Sequence, residues 1–417
     1  MRKTFQLLIG LLVFSGWLQA QSYSILIKGG RVIDPKNGID AIMDVGIRDG
    51  KIVAVQKQLD TTGAKQVVMA AGMLVVPGLI DIHGHYFFGT EPDHYLSNGL
   101  TAVAPDGFTL RNGVTTSVDC GGAGWKNFSV FKRNIIDNSR TRILSFLNIV
   151  GEGMRGGAWE QDTTDMNARM AAAVAKQYPD HIVGFKVAHY ERREWIPVDR
   201  AVEAGRLTSL PVIIDFGGSD PPPLPIEELF FQHLRPGDIY THAFTELNRR
   251  EPIVDPTTRK LKPFVKKAQE RGIIFDVGYG GASFVLSQAQ PAAAAGFYPN
   301  TISTDLHIGS MNASMKDMLN VMNTFLALKM DLKEVIRAST WSPALAIQRK
   351  DLGHLSVGAE ADLAILQQLP GNFGFWDRSG AKITSSQKLV CEMTILAGKI
   401  VYDLNGIAKP IVVSYSK

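Results

Sequence analysis

His83 and His85 stand two residues apart at the end of an apolar run that begins at Leu79. Residues i and i+2 of a strand point to the same face, so both imidazoles reach one cation. Gly84 between them leaves room for close approach. Asp81 shares that face and is placed to orient a ligand from behind. Lys186 ends a later run, Gly184-Phe185-Lys186. A lysine at the inner end of a strand is a costly unpaired charge. It becomes sensible if its amine is depressed in pKa and captures carbon dioxide, because the two oxygens of a carbamate bridge two metals. The plainer alternative is a lysine salt-bridged at a rim. His242 ends Thr241-His242, and Asp305 ends Ser303-Thr304-Asp305. A carboxylate beside a metal-bound water is the usual general base and acid of hydrolysis. Each position is weak alone. Four run ends in order, all carrying ligand types, are stronger together.

Something must bring these ends to one place. From about Pro77 to about Gln348, short apolar runs alternate with helical patterns. The runs are Leu79–His83, Thr116–Asp119, Ile143–Ile149, Ile182–Val187, Val212–Phe216, Ile239–His242, Ile273–Val277 and Thr301–Asp305. Between them lie stretches such as Met166–Lys176, Leu261–Gln269 and Met315–Met330, with apolar residues at helical spacing. About eight strand-then-helix units close a parallel barrel. An open doubly wound sheet is disfavoured, because no Gly-rich phosphate loop follows the first strand. In a barrel the carboxyl ends of the strands face one another across one mouth, where such enzymes carry their chemistry. The fold class expected is therefore α/β, a (β/α)8 TIM barrel.

Short strands with Gly turns flank this middle on both sides. Ile25–Lys28, Asp44–Ile47 and Ile52–Val55 lie before it, with Asp49-Gly50 as a hairpin turn. Ala361–Leu366, Val390–Leu396 and Lys399–Tyr402 lie after it. These pieces suggest a small β-sandwich completed by both chain ends. The expected division is a leader at 1–20, the amino-terminal half of the sandwich at 21–76, the barrel at 77–349 and the carboxyl-terminal half of the sandwich at 350–417. The 417 residues suit a barrel of roughly 250 residues plus such a domain.

Met1–Ala20 reads as a signal peptide: Arg2 and Lys3 open it, an apolar run spans Phe5 to Phe14, and small residues precede Gln21. The run is too short for a comfortable membrane span. A periplasmic or secreted protein without stable membrane insertion is expected. Formal net charge is +4, and two of those cations belong to the leader, so nothing points to nucleic acid. The two cysteines, Cys120 and Cys391, sit in different expected domains and read as buried free thiols. A homo-oligomer stays open.

The segment Met73–His85, with Val76-Pro77-Gly78-Leu79-Ile80-Asp81-Ile82-His83-Gly84-His85, resembles the opening signature of the amidohydrolase superfamily. Gly113–Asp119 resembles its second strand, and Gly353–Leu363 its return into the β domain. Phe275–Phe284 and Ser303–His307 resemble the amidohydrolase/deacetylase branch, relatives of dihydroorotases and D-aminoacylases. The resemblance covers nearly everything after the leader. It implies hydrolysis of an amide or ester of a small molecule, often removal of an acetyl group. It implies two divalent ions, zinc expected first, while an oxygen donor at Asp215 makes the site harder and lets manganese or iron be tolerated. His83, His85 and Asp305 would hold one ion, His242 the other, with carboxylated Lys186 as the bridge.

Two positions depart from the family pattern. Asp215 stands where a histidine is expected at the end of the fifth strand, and Tyr279 stands where histidine is frequent. Asp215 still binds zinc through oxygen. Its charge, added to a carbamate, Asp305 and a bridging hydroxide, cancels that of two divalent ions and weakens the acidity of a bound water. An altered second metal competes with a single tightly held one. His307, Arg155 and Tyr279 are candidate substrate contacts, Arg155 for a carboxylate. His189 and Tyr190 follow the fourth strand, and His233 reads as structural. The alternatives are a cyclic-amide hydrolase of dihydroorotase type and a binding protein on a decayed scaffold. Retention of His83, His85, Lys186, His242 and Asp305 argues against decay.

Overall fold

The computed structural model describes residues 22–89, 101–215 and 221–410. The leader expected at 1–20 lies outside them. β1 (Ile25–Asp34), β2 (Ile39–Arg48) and β3 (Lys51–Gln56) form an antiparallel meander. Asp49 and Gly50, both at positive φ, make the turn into β3. β4 (Val67–Met69) and β5 (Leu74–Pro77) pair parallel with β1.

β6 (Leu79–Gly84), β7 (Val114–Gly124), β8 (Arg142–Asn148), β9 (Ile182–Ala188), β10 (Val212–Asp215), β11 (Ile239–Tyr240) and β12 (Ile274–Phe275) then follow as neighbours in chain order, all parallel. Every residue of β6, β7 and β9 is buried, as befits parallel strands covered on both faces. The crossover helices have identifiable starts. Asn167 caps Ala168–Gln177 by accepting from the N–H groups of Arg169 and Met170. The eighth expected strand is not a ladder. Single parallel bridges join Asp276 to Thr301 and Gly84 to Leu306. Segment 301–306 thereby spans the gap between β12 and β6 and closes the curled sheet. Apolar side chains of β6 to β11, including Ile82, Val118, Phe146, Val183, Ile213 and Ile239, meet in one cluster.

The sixth and seventh strands are shorter than the runs 239–242 and 273–277 suggested. The chain leaves the ladder early there, and His242 adopts a left-handed backbone at φ 54.

β13 (Leu363–Trp376), β14 (Lys382–Leu396) and β15 (Lys399–Asp403) complete the chain. β13 pairs antiparallel with β5, Leu363 opposite Pro77. The eight strands outside the barrel thus lie on one hydrogen-bonded sheet, ordered β15-β14-β13-β5-β1-β2-β3 with β4 on β1. Both chain ends build it, and its strands follow one continuous hydrogen-bonded path through both halves. The reason is the β5–β13 pairing, which joins the two halves edge to edge. Their shared core contains Ile27, Val45, Val75, Leu363, Ile365 and Met393.

The β13–β14 hairpin extends beyond this sheet onto the barrel. Asp377 at its tip is fully buried and accepts the N–H of Leu286 at 2.6 Å. The carbonyl of Trp376 accepts the Tyr279 hydroxyl at 3.0 Å. Cys120 and Cys391 are buried free thiols. Among the described residues no helix is long and apolar enough to cross a membrane.

Candidate metal centre

The carboxyl ends of the barrel strands bring His83, His85, Lys186, Asp215, His242 and Asp305 together. All but Asp215 are buried, and the Asp215 side chain is 16% exposed. His83 sits one residue before the end of β6 and His85 one residue after it. Lys186 is two residues short of the end of β9, and Asp215 is the last residue of β10.

Hydrogen bonds fix which nitrogen each histidine presents. His83 Nδ1 lies 2.9 Å from Thr241 Oγ1, and that hydroxyl donates to Asp276 Oδ2 at 2.7 Å. With its proton committed to Asp276, Thr241 accepts from Nδ1–H, and Nε2 keeps a lone pair facing inward. Burial, with the Lys186 charge beside it, lowers the His83 pKa to about 3, so the ring is neutral. His242 Nδ1 contacts the Gly278 carbonyl, which only accepts, so this ring also turns a bare Nε2 inward. That Nε2 faces Asp215 Oδ2 at 3.2 Å. Two lone pairs at that distance call for a cation or a proton between them. His83, His242 and Asp305 each offer a ligand atom, and these atoms lie within 4.8 Å of one another. The nitrogen and oxygen donors suit zinc and tolerate harder divalent ions. The residues therefore fit a metal.

Asp305 has a left-handed backbone at φ 52, a conformation that costs a non-glycine residue of order 1 kcal/mol and clusters at functional sites. Its Oδ1 lies 2.9 Å from His85 Nε2 and 3.6 Å from His83 Nε2. Burial opposes its charge, but His307, His83 and His85 outweigh burial and hold the carboxyl well below the usual carboxylate range. His307 Nδ1 donates to the Asp305 carbonyl at 2.7 Å, and its ring packs near His85 with centroids 6.0 Å apart.

Lys186 departs from expectation in one respect. Its amine lies 3.4 Å from His83 Nε2 and 3.5 Å from Asp215 Oδ2. Burial disfavours the cation, yet Cys120, Asp215 and Asp305 together raise its pKa instead of depressing it. Without metal ions the surrounding acids favour the ammonium. Gly121, at φ +89, gives the lysine stem its space, since a Cβ there would sit 2.6 Å from Lys186 Cγ. Asp81 also acts differently from expectation. It accepts the backbone N–H groups of His83 and Thr304 at 3.2 and 3.0 Å and the Thr304 hydroxyl. It thus ties the first strand to the eighth segment, while Thr241 and Asp276 orient the His83 ring. Burial raises the Asp81 pKa to about 7.

Beside the centre is a cavity of about 190 Å³, lined by His85, Phe87, Met154, Arg155, Glu160 and His189 among others. Arg155 lines it, held over the Trp159 ring at 4.4 Å and paired to Glu152 at 3.4 Å. Tyr279 does not. Its ring is 1% exposed and stacks on Phe284 with centroids 4.2 Å apart, and its hydroxyl is turned to Trp376. Its neighbours matter more: a Cβ on Gly280 would overlap Asp305 Oδ2, and one on Gly278 would sit 2.8 Å from His242 Nδ1. Tyr190 bonds to Glu194 away from the centre. His233 pairs with Asp199 at 2.7 Å and is structural.

Sequence reading missed Thr241, Asp276 and Arg250. Asp276 lies near the end of the seventh apolar run, a signal close to that of Asp305. Arg250 lies in a loop and gave no periodic signal.

A profile of the Amidohydrolase family matches residues 286–401. A deacetylase of Agrobacterium fabrum is 32% identical over 80% of this chain and 80% of that protein. A solved adenine deaminase superposes with a TM-score of 0.82 at 26% identity, covering 92% of this chain and 100% of the other. A solved dihydroorotase does so with a TM-score of 0.78 at 27% identity, covering 91% and 99%.

Proposed function

This chain belongs to the amidohydrolase superfamily, and from that premise we propose that it is a metal-dependent hydrolase that deacetylates an N-acetyl or O-acetyl small molecule. The observation that carries this reading is the inward Nε2 of His83 and His242 beside ionised Asp305, next to a cavity of about 190 Å³. That volume lies below the roughly 300–1,000 Å³ of pockets for larger ligands and suits a small acyl group. His83, His85 and Asp305 would hold one divalent ion. Asp215 and His242 would hold a second, and Lys186, as a carbamate, would serve both, with zinc favoured and manganese or iron tolerated. The chemistry an ion would supply there, when bound, is a more acidic water, with a pKa towards ~7, and polarisation of the scissile carbonyl.

The residues divide the remaining work. Asp305 takes the proton of the attacking water and returns it to the leaving nitrogen or oxygen. Thr241 and Asp276 keep the His83 lone pair aimed inward. His307 fixes the Asp305 backbone. Arg155, at the cavity wall, meets a carboxylate on the substrate. The apolar faces of Phe87 and Met154 exclude water around the acyl group. The leader read at Met1–Ala20 supports action outside the cytoplasm.

The likeness to a dihydroorotase favours one second reading, a cyclic-amide hydrolase using the same centre. The deciding experiment is metal content by mass spectrometry on protein purified with bicarbonate, followed by assays on N-acetyl amino acids, acetyl esters and dihydroorotate. About two metals per chain with deacetylation supports the proposal in full. Turnover of dihydroorotate alone moves the assignment to the second reading. No metal, no reconstitution and no turnover returns the chain to a binding protein.

A further inference from the structure

Arg250 is an unusual neighbour for a metal centre. Its side chain is 6% exposed, so its charge has been taken almost wholly out of water. Every nitrogen of the guanidinium is engaged. Nε donates to the Tyr240 hydroxyl at 3.2 Å, Nη2 to the Thr241 carbonyl at 2.6 Å, and Nη1 to Asp215 Oδ1 at 3.0 Å. The plane lies over the Tyr240 ring at 4.5 Å. It is a fixed cation, and a buried cation needs a paired anion. Among the described residues the carboxylate paired with it is that of Asp215.

Asp215 is divided between two tasks. Oδ1 is committed to Arg250, while Oδ2 faces His242 Nε2 and Lys186 Nζ. A carboxylate in a position that holds a neutral imidazole in the family pattern adds one negative charge. A guanidinium bonded to its far oxygen removes it. The bond also blocks bidentate binding, so a single oxygen is left to act as donor.

We infer that Arg250 and Asp215 are a matched pair, in which Arg250 neutralises Asp215 and leaves Oδ2 as a one-point, near-neutral metal donor in place of a histidine. Arg250 is thus a positioning residue that works through Asp215. This rests on the metal-centre reading but not on the identity of the substrate. Histidine at 215 without Arg250 should be tolerated, whereas either change alone should not. Asp215→His strands a buried guanidinium, and Arg250→Met strands an extra charge in the centre.

The test is a cycle of Asp215→His, Arg250→Met and the double variant, reading zinc affinity by competition with a chelator and Tm of the metal-free proteins. Arg250→Met is expected to lose about 10–100-fold in affinity, as for other residues that back a metal ligand, and Asp215→His at least as much. The double variant should recover most of that loss. Arg250→Lys keeps the charge without the fork and should fall between Arg250→Met and the unaltered protein. Additive losses in the cycle overturn the pairing, and so does unaltered affinity in Arg250→Met. If the metal-free single variants fail to fold, recovery of both folding and zinc uptake in the double variant supports the pair, and failure of the double variant overturns it. Zinc uptake by the unaltered protein without deacetylation would fail the proposed substrate and leave this inference standing. No zinc uptake by the unaltered protein would overturn both.

Discussion

The two sides of the centre are built on different principles. On the His83 side the ligand is backed by a relay: imidazole, then the Thr241 hydroxyl, then Asp276, which also accepts from Thr301 and Ser303. On the Asp215 side, charge meets charge directly, with Lys186, His242 and Arg250 all within 3.5 Å of one carboxylate. A hydrogen-bond relay fixes direction and tautomer. An ion cluster fixes net charge, and here Arg250 also sets direction by holding Asp215 Oδ1 so that Oδ2 faces inward. The first side is thus set by neutral hydrogen bonds and the second by paired charges.

The comparison can be broken most severely at Asp305, which bonds His85 on the first side and lies within 4.8 Å of the His242 ligand atom on the second. Asp305→Asn should keep fold and metal yet lose about 10²–10⁴-fold in turnover, the usual contribution of a positioned proton carrier. Turnover near that of the unaltered enzyme would remove it from this role. Asp276→Asn tests whether the relay matters as much as the ligand. Zinc affinity should fall about 10–100-fold while the Asp215 side stays intact. An unchanged affinity would mean that His83 needs no backing. Gly280→Ala presses on the shared carboxylate from outside. A left-handed alanine costs about 1–2 kcal/mol, and its methyl overlaps Asp305 Oδ2, so Tm and turnover should drop together. A drop in Tm alone would show that Asp305 yields without consequence.

The smallest effect belongs to the cavity wall. The His189 side chain is 57% exposed, so partial desolvation opposes its cation only in part, and its bond to the buried Glu160 at 2.9 Å prevails and raises the pKa to about 9. The raised pKa makes this pair's contribution full below the ordinary histidine value near 6.5 and progressively lost as pH rises through about 9. The stability gap between the unaltered protein and His189→Gln should therefore narrow between about pH 6 and about pH 10. A gap independent of pH would dissociate the pair from titration.

Much of the His83 side was legible because its residues sit at or just past the ends of apolar runs. His83, His85 and Asp305 lie at the ends of apolar runs, and period-2 geometry says where such side chains point. Asp276 carries a similar signal, but the seventh strand holds only two paired residues and its run does not mark where the ladder stops. Arg250 was out of reach of periodicity: it arrives from a loop ten residues after Tyr240, and only the folded chain shows what it meets. Tyr279 misled for a related reason. The chain bends at Gly278 and Gly280, both at positive φ, and the bend turns the tyrosine into the packing against Phe284. The single terminal sheet was half legible. Both ends read as strands, but the pairing of β5 with β13 depends on a long-range register that local patterns do not encode.

The hairpin of β13 and β14 also has a consequence for the order of synthesis. Its tip holds Leu286 through Asp377 and Tyr279 through Trp376, a contact spanning 97 residues of chain. The loop it grips carries Gly278 and Gly280, which touch His242 and Asp305. A chain emerging from the ribosome exposes every barrel ligand well before that clamp exists, and β5 waits as long for its partner β13. Such long-range closure is slow. A nascent or carboxyl-truncated chain should accordingly present the same donors without the clamp that backs the loop carrying Gly278 and Gly280.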